Sequence, residues 1–114
     1  MTIDNFFEFL SKFMNEVEGA VRQKIEIEKS ISGFNRNSPS PYAYMCFYPQ
    51  ETDLIFSLER KDGCFEILIE LMNQEGQDPE LALHLEGGLS EISFEMKNGF
   101  SKLISKICDR LNRI

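Results

Sequence analysis

Apolar residues in the first part of the chain recur every three or four positions, from Thr2 to about Gln23. This spacing predicts a helix with one broad stripe that faces a core. Thr2 or Asp4 can cap its start, since either side chain can accept a hydrogen bond from the free backbone amides. The stripe is rich in phenylalanine, which favours a helix lying across a sheet, and consists of Ile3, Phe6, Phe7, Phe9, Leu10, Phe13, Met14, Val17, Ala20 and Val21.

The next part of the chain alternates between apolar and polar residues, which is the pattern of strands with one solvent-exposed face. A first strand is predicted over residues 25–31, followed by a loop over residues 33–41 that contains two prolines. A meander of strands comes next, with a strong hairpin signal at Asp62-Gly63. Its strands are predicted at residues 42–48, 54–58, 65–71, 81–85 and 92–96, with turns at 73–79 and 87–88.

The C-terminal segment, from Phe100 to Ile114, returns to helical spacing. Its basic residues lie opposite the apolar side and are expected in solvent: Lys102, Lys106, Arg110 and Arg113. The predicted order is one helix, about six antiparallel strands and one helix. This predicts a single α+β domain over residues 1–114, in which both helices pack on one sheet face and the other face meets solvent.

Charge is distributed unevenly along the chain. The 114 residues carry 12 basic and 19 acidic side chains, a net charge of −7, which argues against nucleic-acid binding because that needs a basic footprint. Residues 51–96 contain twelve acids against Arg60 and Lys61, whereas residues 97–114 contain five bases against Asp109. The negative charge is therefore concentrated on the predicted meander.

Strand alternation sorts these acids by face. If Phe56, Ile67, Leu83 and Phe94 point at the helices, the opposite face collects Glu59, Glu66, Glu70, Glu80, Glu86, Glu91 and Glu95. Like charges on adjacent strands repel and lower stability by roughly a few tenths of a kcal/mol for each close pair. Two interpretations stay open, a solvated acidic face and a face that meets a strongly basic partner. A register slip of one residue would disperse the patch.

Three tyrosines share one face of the strand predicted at residues 42–48, namely Tyr42, Tyr44 and Tyr48. Tyrosine offers a large amphipathic contact area at low entropy cost and is common at binding hot spots. The alternative is that these rings only complete the sheet beside the 33–41 loop. A tyrosine cluster next to acids would suit an interface with a central anchor and a charged surround.

Catalytic chemistry has little support in the sequence. The single histidine, His84, lies on the wet face of a strand, and Cys46, Cys64 and Cys108 are expected to be small buried hydrophobes in a reducing compartment. Zinc-type spacings and a calcium loop are both lacking. Gly87-Gly88 is interpreted as a turn between strands, not a phosphate cradle. We expect no enzyme, cofactor or metal site, with an enzyme or small-ligand binder as a minor alternative.

The compartment is predicted from the lack of targeting features. No apolar run approaches the roughly 18 residues of a membrane span. The first residues carry an acid where a signal peptide would carry bases. We expect a cytoplasmic protein without a membrane partner.

In general character the whole chain resembles the immunity proteins that bacteria encode beside secreted toxin domains, such as those of contact-dependent growth inhibition systems. The shared features are small size, acidity, an α+β pattern and the lack of catalytic motifs. The resemblance implies a free monomer that binds a cognate toxin, often a basic nuclease, with carboxylates in place of substrate phosphates. The expected partner-binding residues are Glu59, Glu66, Glu70, Glu86, Glu91 and Glu95, with Tyr44 and Tyr48 as apolar anchors.

The main alternative is a small acidic secretion chaperone. Such a protein is a dimer that holds an extended effector segment along hydrophobic grooves. The first helix would supply the groove if Phe9 and Met14 were left outside the core. Oligomeric state and salt response separate the two functions, because an immunity protein associates with a folded basic domain in a salt-sensitive manner.

Overall fold

The computed structural model describes residues 1–37, 39–73 and 78–112. The predicted α+β class is confirmed, and the strands form one antiparallel meander in chain order. Within these residues there are five strands instead of about six, and three helices instead of two. The elements are α1 (Ile3–Lys24), β1 (Lys29–Asn35), β2 (Tyr42–Tyr48), β3 (Thr52–Lys61), β4 (Cys64–Asn73), β5 (Glu80–Gly87), α2 (Leu89–Asn98) and α3 (Phe100–Asn112).

Helix α1 begins at a reciprocal cap. The hydroxyl of Thr2 accepts from the backbone amide of Asn5 at 3.1 Å, and the side chain of Asn5 accepts from the amide of Thr2 at 3.4 Å. Its phenylalanine stripe is buried as predicted. Met14 is also buried, and Phe9 is half-buried between the rings of Phe6 and Phe13. The interpretation that Phe9 and Met14 are left outside the core is therefore wrong.

The sheet buries one face against the helices. The side chains on that face alternate along β2, β3 and β4 with outward-facing ones, as period-two packing requires. The hairpin predicted at Asp62-Gly63 is confirmed, and both residues adopt positive φ, 37° and 81°. The core residues of the sheet include Met45, Phe47, Leu54, Phe56, Leu58, Ile67, Ile69 and Leu71.

The strand predicted at residues 92–96 is wrong, because this segment lies in α2. Ile92 and Met96 are buried together at helical spacing, whereas Phe94 is 62% exposed and does not face the core. The three apolar residues Ile92, Phe94 and Met96 fit the two-residue period of a strand as well as the spacing of a helix. Gly88 is the residue that precedes α2, so the Gly87-Gly88 pair is followed by a helix and not by a strand.

The first strand also differs from its prediction. β1 begins at Lys29 and continues to Asn35, so residues 25–28 form a connection and 33–35 are strand instead of loop. Pairing with β2 sets these bounds, from Lys29 opposite Tyr48 to Asn35 opposite Tyr42. Ile25 and Ile27 still pack toward the core. Residues 74–77 of the predicted second turn, and Arg113 and Ile114, lie outside the described residues.

Helix α3 uses two of its predicted solvent-facing cations at the sheet edge. Lys106 donates to the carbonyl of Ala82 at 3.0 Å, and the buried Arg110 donates to Glu80 at 2.9 Å and to Asn73 at 3.0 Å. Glu80 reaches Arg110 because a bulge in β5 shifts its register beyond Ile69, which turns Glu80 to the helix side. The expectation of a solvated side chain is therefore wrong for Lys106 and Arg110, whereas Lys102 is exposed as expected. The open-face position of Glu80 is also wrong.

Among the described helices, none is long and apolar enough to span a bilayer.

Candidate functional site

The sheet face opposite the helices, here called the open face, brings together six of the eight predicted site residues. Strand register fixes its membership, since directly opposed residues on neighbouring strands point to the same side. Its members are Lys29, Ile31, Gly33, Asn35, Tyr42, Tyr44, Cys46, Tyr48, Asp53, Ile55, Ser57, Glu59, Lys61, Cys64, Glu66, Leu68, Glu70, Met72, Leu81, His84 and Glu86.

One end of the open face holds an acidic cluster, Glu59, Glu66 and Glu86, which lie opposite one another on β3, β4 and β5. The ammonium of Lys61 bridges two of them, at 2.8 Å from Glu86 and 3.2 Å from Glu66. These hydrogen bonds raise the pKa of Lys61 above its usual range. The pKa of Glu66 is lowered, mainly by its hydrogen bond from Lys61 and next by its hydrogen bond with His84. The positive charge of Lys61 thus partly neutralises the acidic cluster.

Three side chains of this end could in principle offer ligands to a cation. Glu66, His84 and Glu86 each place one ligand atom within 4.8 Å of the others. However, the ammonium of Lys61 already binds the carboxylates of Glu66 and Glu86, and so it takes the place that a metal cation would need. The arrangement is an internal ion-pair network, and we assign no metal to it.

The other end of the open face contains an aromatic depression, here called the tyrosine cleft, with a cavity volume of about 320 Å³. The predicted shared face of the β2 tyrosines is confirmed by the register, and Tyr42 and Tyr44 are each 37% exposed. The cleft is lined by Ile31, Tyr42, Tyr44, Cys46, Tyr48, Asp53 and Ile55.

Gly33 on the edge strand β1 makes room for one wall of the cleft. It pairs with Tyr44, and a Cβ built on Gly33 would lie 2.7 Å from the Tyr44 hydroxyl oxygen. The tyrosine ring therefore lies across the strand at a point where any side chain would collide with it. The close approach, and not an unusual φ, is what favours glycine here, because a Cβ would force the far end of the Tyr44 side chain to move.

Cys46 and Asp53 adjoin each other in the cleft, on directly opposed positions of β2 and β3. Burial of the Cys46 thiol, its hydrogen bond with Asp53 and the negative charge of that carboxylate raise the pKa of Cys46 to about 11. The rim carries a cation, since the ammonium of Lys29 lies 4.7 Å from the centre of the Tyr48 ring.

We expect Cys46 to react slowly with a thiol reagent, because only the thiolate is nucleophilic. With a pKa of about 11, roughly 0.1% of this buried thiol is ionised at pH 8, and the fraction rises as pH increases toward 11. Cys108 is also buried with a raised pKa, whereas Cys64 is half-buried and should react first. Mass spectrometry of timed labelling measures the order. Fast labelling of Cys46 at pH 8 would contradict it and support a reactive cysteine.

The structure brings together only part of the predicted set. Glu59, Glu66 and Glu86 form the acidic cluster, and Glu70 lies on the same face, between Ile55 and Leu81. Tyr44 and Tyr48 line the tyrosine cleft. Glu91 and Glu95 lie exposed on α2, because residues 89–98 are helical, so a face of seven glutamates is wrong.

Five residues that line the cleft were not predicted as site residues, namely Ile31, Tyr42, Cys46, Asp53 and Ile55. Lys29 and Gly33, which lie beside it on β1, were also missed. Asp53 shares the alternation of Ile55 and Ser57, so its face could have been read from the sequence. Lys29 and Gly33 lie on a strand whose bounds the sequence pattern did not give.

No family model matches this chain, and neither does any curated protein or solved structure with which it was compared.

Proposed function

We propose that the chain is an immunity-type inhibitor that docks a basic, folded toxin domain on its open face. The observation that carries this proposal is the combination of exposed tyrosines and unbalanced acids on one uncovered surface. Its carboxylates, Asp53, Glu59, Glu66, Glu70 and Glu86, number five against Lys29 and Lys61, which leaves three net negative charges. Aromatic anchors with a charged surround are the usual anatomy of a specific interface.

The size of the open face suits a protein partner. Five strands about 4.8 Å apart, with about seven residues each at about 3.3 Å, give a flat area of roughly 550 Å². A standard interface buries about 800 Å² on each partner, so the face with its surrounding loops is sufficient. The acids would steer a basic domain toward the face and then cover the cations with which that domain holds phosphate.

The secretion-chaperone alternative has less support. That function would require a hydrophobic groove formed by the phenylalanines of α1, but those rings pack in the core. A chaperone that binds through the open face would need an unfolded client. Co-expression with the product of the adjacent gene separates the two: rescue of a toxic neighbour in a stable complex supports the inhibitor, whereas a harmless, unfolded client supports the chaperone.

The charge reversal Glu59→Lys with Glu70→Lys should weaken binding to that toxin by about tenfold or more at low salt, mainly through the association rate. Within the described residues neither carboxylate makes an ion pair, so this variant leaves the Lys61 network intact. Surface plasmon resonance at low and high salt measures both rates, and the difference from the native chain should shrink at high salt.

The matched control is Glu8→Lys with Glu16→Lys, which changes the net charge equally on exposed positions of α1. We expect this control to retain the affinity of the native chain. Equal losses in both variants would show a general charge effect in place of a docking face. No loss in the open-face variant would refute the electrostatic mechanism.

A further inference from the structure

We propose that the tyrosine cleft is a receptor for a guanidinium group, which stacks on the tyrosine rings and pairs with Asp53. The source of this group would be an arginine side chain on the docked partner. Only that source rests on the proposed function, because the chemistry of the cleft stands on its own geometry.

The walls of the cleft are suited to a cation. Tyr42, Tyr44 and Tyr48 lie at alternate positions of one strand and present their rings to the same cavity. The face of an aromatic ring carries negative electrostatic potential and attracts cations within about 6 Å of its centre. Lys29 already shows this at the rim, with its ammonium 4.7 Å from the centre of the Tyr48 ring.

Asp53 provides the charge that a bound cation would neutralise. Its carboxylate is half-buried, and its hydrogen-bond partner in the cleft is the thiol of Cys46. Across residues 1–37, 39–73 and 78–112, no lysine or arginine forms an ion pair with Asp53. A carboxylate in a partly desolvated, aromatic-lined cleft without a counter-ion is costly, and an incoming cation would offset that cost.

The shape of the cleft favours arginine over lysine. A guanidinium is planar, so it can stack on a tyrosine ring while two of its N–H groups donate to one carboxylate, which an ammonium cannot do. The cavity of about 320 Å³ is at the small end of the range for ligand pockets. That volume suits one inserted side chain better than a nucleotide-sized ligand.

The test is an NMR titration of the ¹⁵N-labelled chain with N-acetyl-arginine methylamide, using the neutral citrulline analogue as the matched probe. We expect saturable amide shifts confined to the cleft, around Tyr44, Cys46 and Asp53, with a Kd of about 1–10 mM. Citrulline has nearly the same shape without the charge and should bind at least about tenfold more weakly.

Three substitutions should change the affinity of the cleft for the arginine probe, two by weakening it and one by strengthening it. Asp53→Asn removes the counter-charge, and Gly33→Ala displaces the Tyr44 ring through its flexible end, so each should weaken binding by about fivefold or more. Lys29→Gln removes a competing cation and should strengthen binding. Glu16→Gln on α1 removes the same charge as Asp53→Asn and should leave the affinity unchanged.

The proposal is overturned if no shifts saturate, if citrulline binds equally, or if the shifts centre on the acidic cluster. Unaltered spectra elsewhere in each variant show that the fold is retained. This titration contains no toxin, so its result is independent of the co-expression experiment. A selective cleft with no toxic neighbour would refute the proposed function alone, and an unresponsive cleft with a rescued toxin would refute this inference alone.

Discussion

The substitution Phe13→Ala should lower the free energy of unfolding by about 3–5 kcal/mol, the usual loss for a large buried aromatic side chain. Phe13 on α1 joins three elements of the molecule, α1, β3 and α3. Its ring meets Phe56 of β3 edge-on at 6.4 Å and Phe100 of α3 at 5.7 Å, and it lies 5.7 Å from Phe9 on α1. Truncation would leave a cavity between the sheet and both terminal helices. Urea denaturation followed by circular dichroism measures the loss.

The matched control is Phe94→Ala on α2, which removes the same side chain from a position that is 62% exposed. It should change the stability by no more than about 0.5 kcal/mol. Phe13→Leu fills part of the space and serves if the alanine variant does not fold, with an expected loss between the two. Equal effects of the Phe13 and Phe94 truncations would contradict the position of Phe13 in the core.

Arg110→Met should lower the free energy of unfolding by about 2–3 kcal/mol. Removal of one partner from a buried ion pair typically costs about 3–5 kcal/mol, and we reduce that value because the Glu80 side chain is 35% exposed. The variant leaves the Glu80 carboxylate without its 2.9 Å partner and Asn73 without its donor. Chemical denaturation at neutral pH measures the difference.

The double variant Arg110→Met with Glu80→Leu should recover most of this loss, because apolar side chains can replace a buried pair at little cost. Lys102→Met on the exposed side of α3 is the single-charge control and should be nearly neutral. If the double variant is as unstable as Arg110→Met alone, the loss comes from packing of the arginine stem and not from the lost contact between Arg110 and Glu80.

The elements with one clear period were predictable from the sequence. Strand β2 has the predicted bounds, and the hairpin at Asp62-Gly63 follows from the need for positive φ at both residues. Residues 89–98 were ambiguous because Ile92 and Met96 lie four apart with Phe94 between them, which fits a strand as well as a helix. Packing of this segment against α1, α3 and the sheet makes it a helix. Such long-range contacts cannot be read from a local sequence pattern.

The candidate site was predictable only in part, for a related reason. Alternation placed Tyr44, Tyr48, Glu66 and Glu86 on one face correctly. Glu80 was misplaced because a one-residue bulge reverses the face of every residue beyond it, and nothing in the sequence signals that bulge. The bridging role of Lys61 depends on distances across three strands, which a one-dimensional pattern cannot supply.

The meander order has a consequence for the sequence of events during synthesis. Each strand pairs with the next along the chain, so the sheet can assemble hairpin by hairpin from nearby segments. Helix α1 is different, because its partner α3 follows all five strands along the chain. The phenylalanine stripe is therefore synthesised before the sheet on which it packs, and its contacts with α3 form only after all five strands have been made. That interval is when the nascent chain is most exposed to aggregation and to capture by general chaperones.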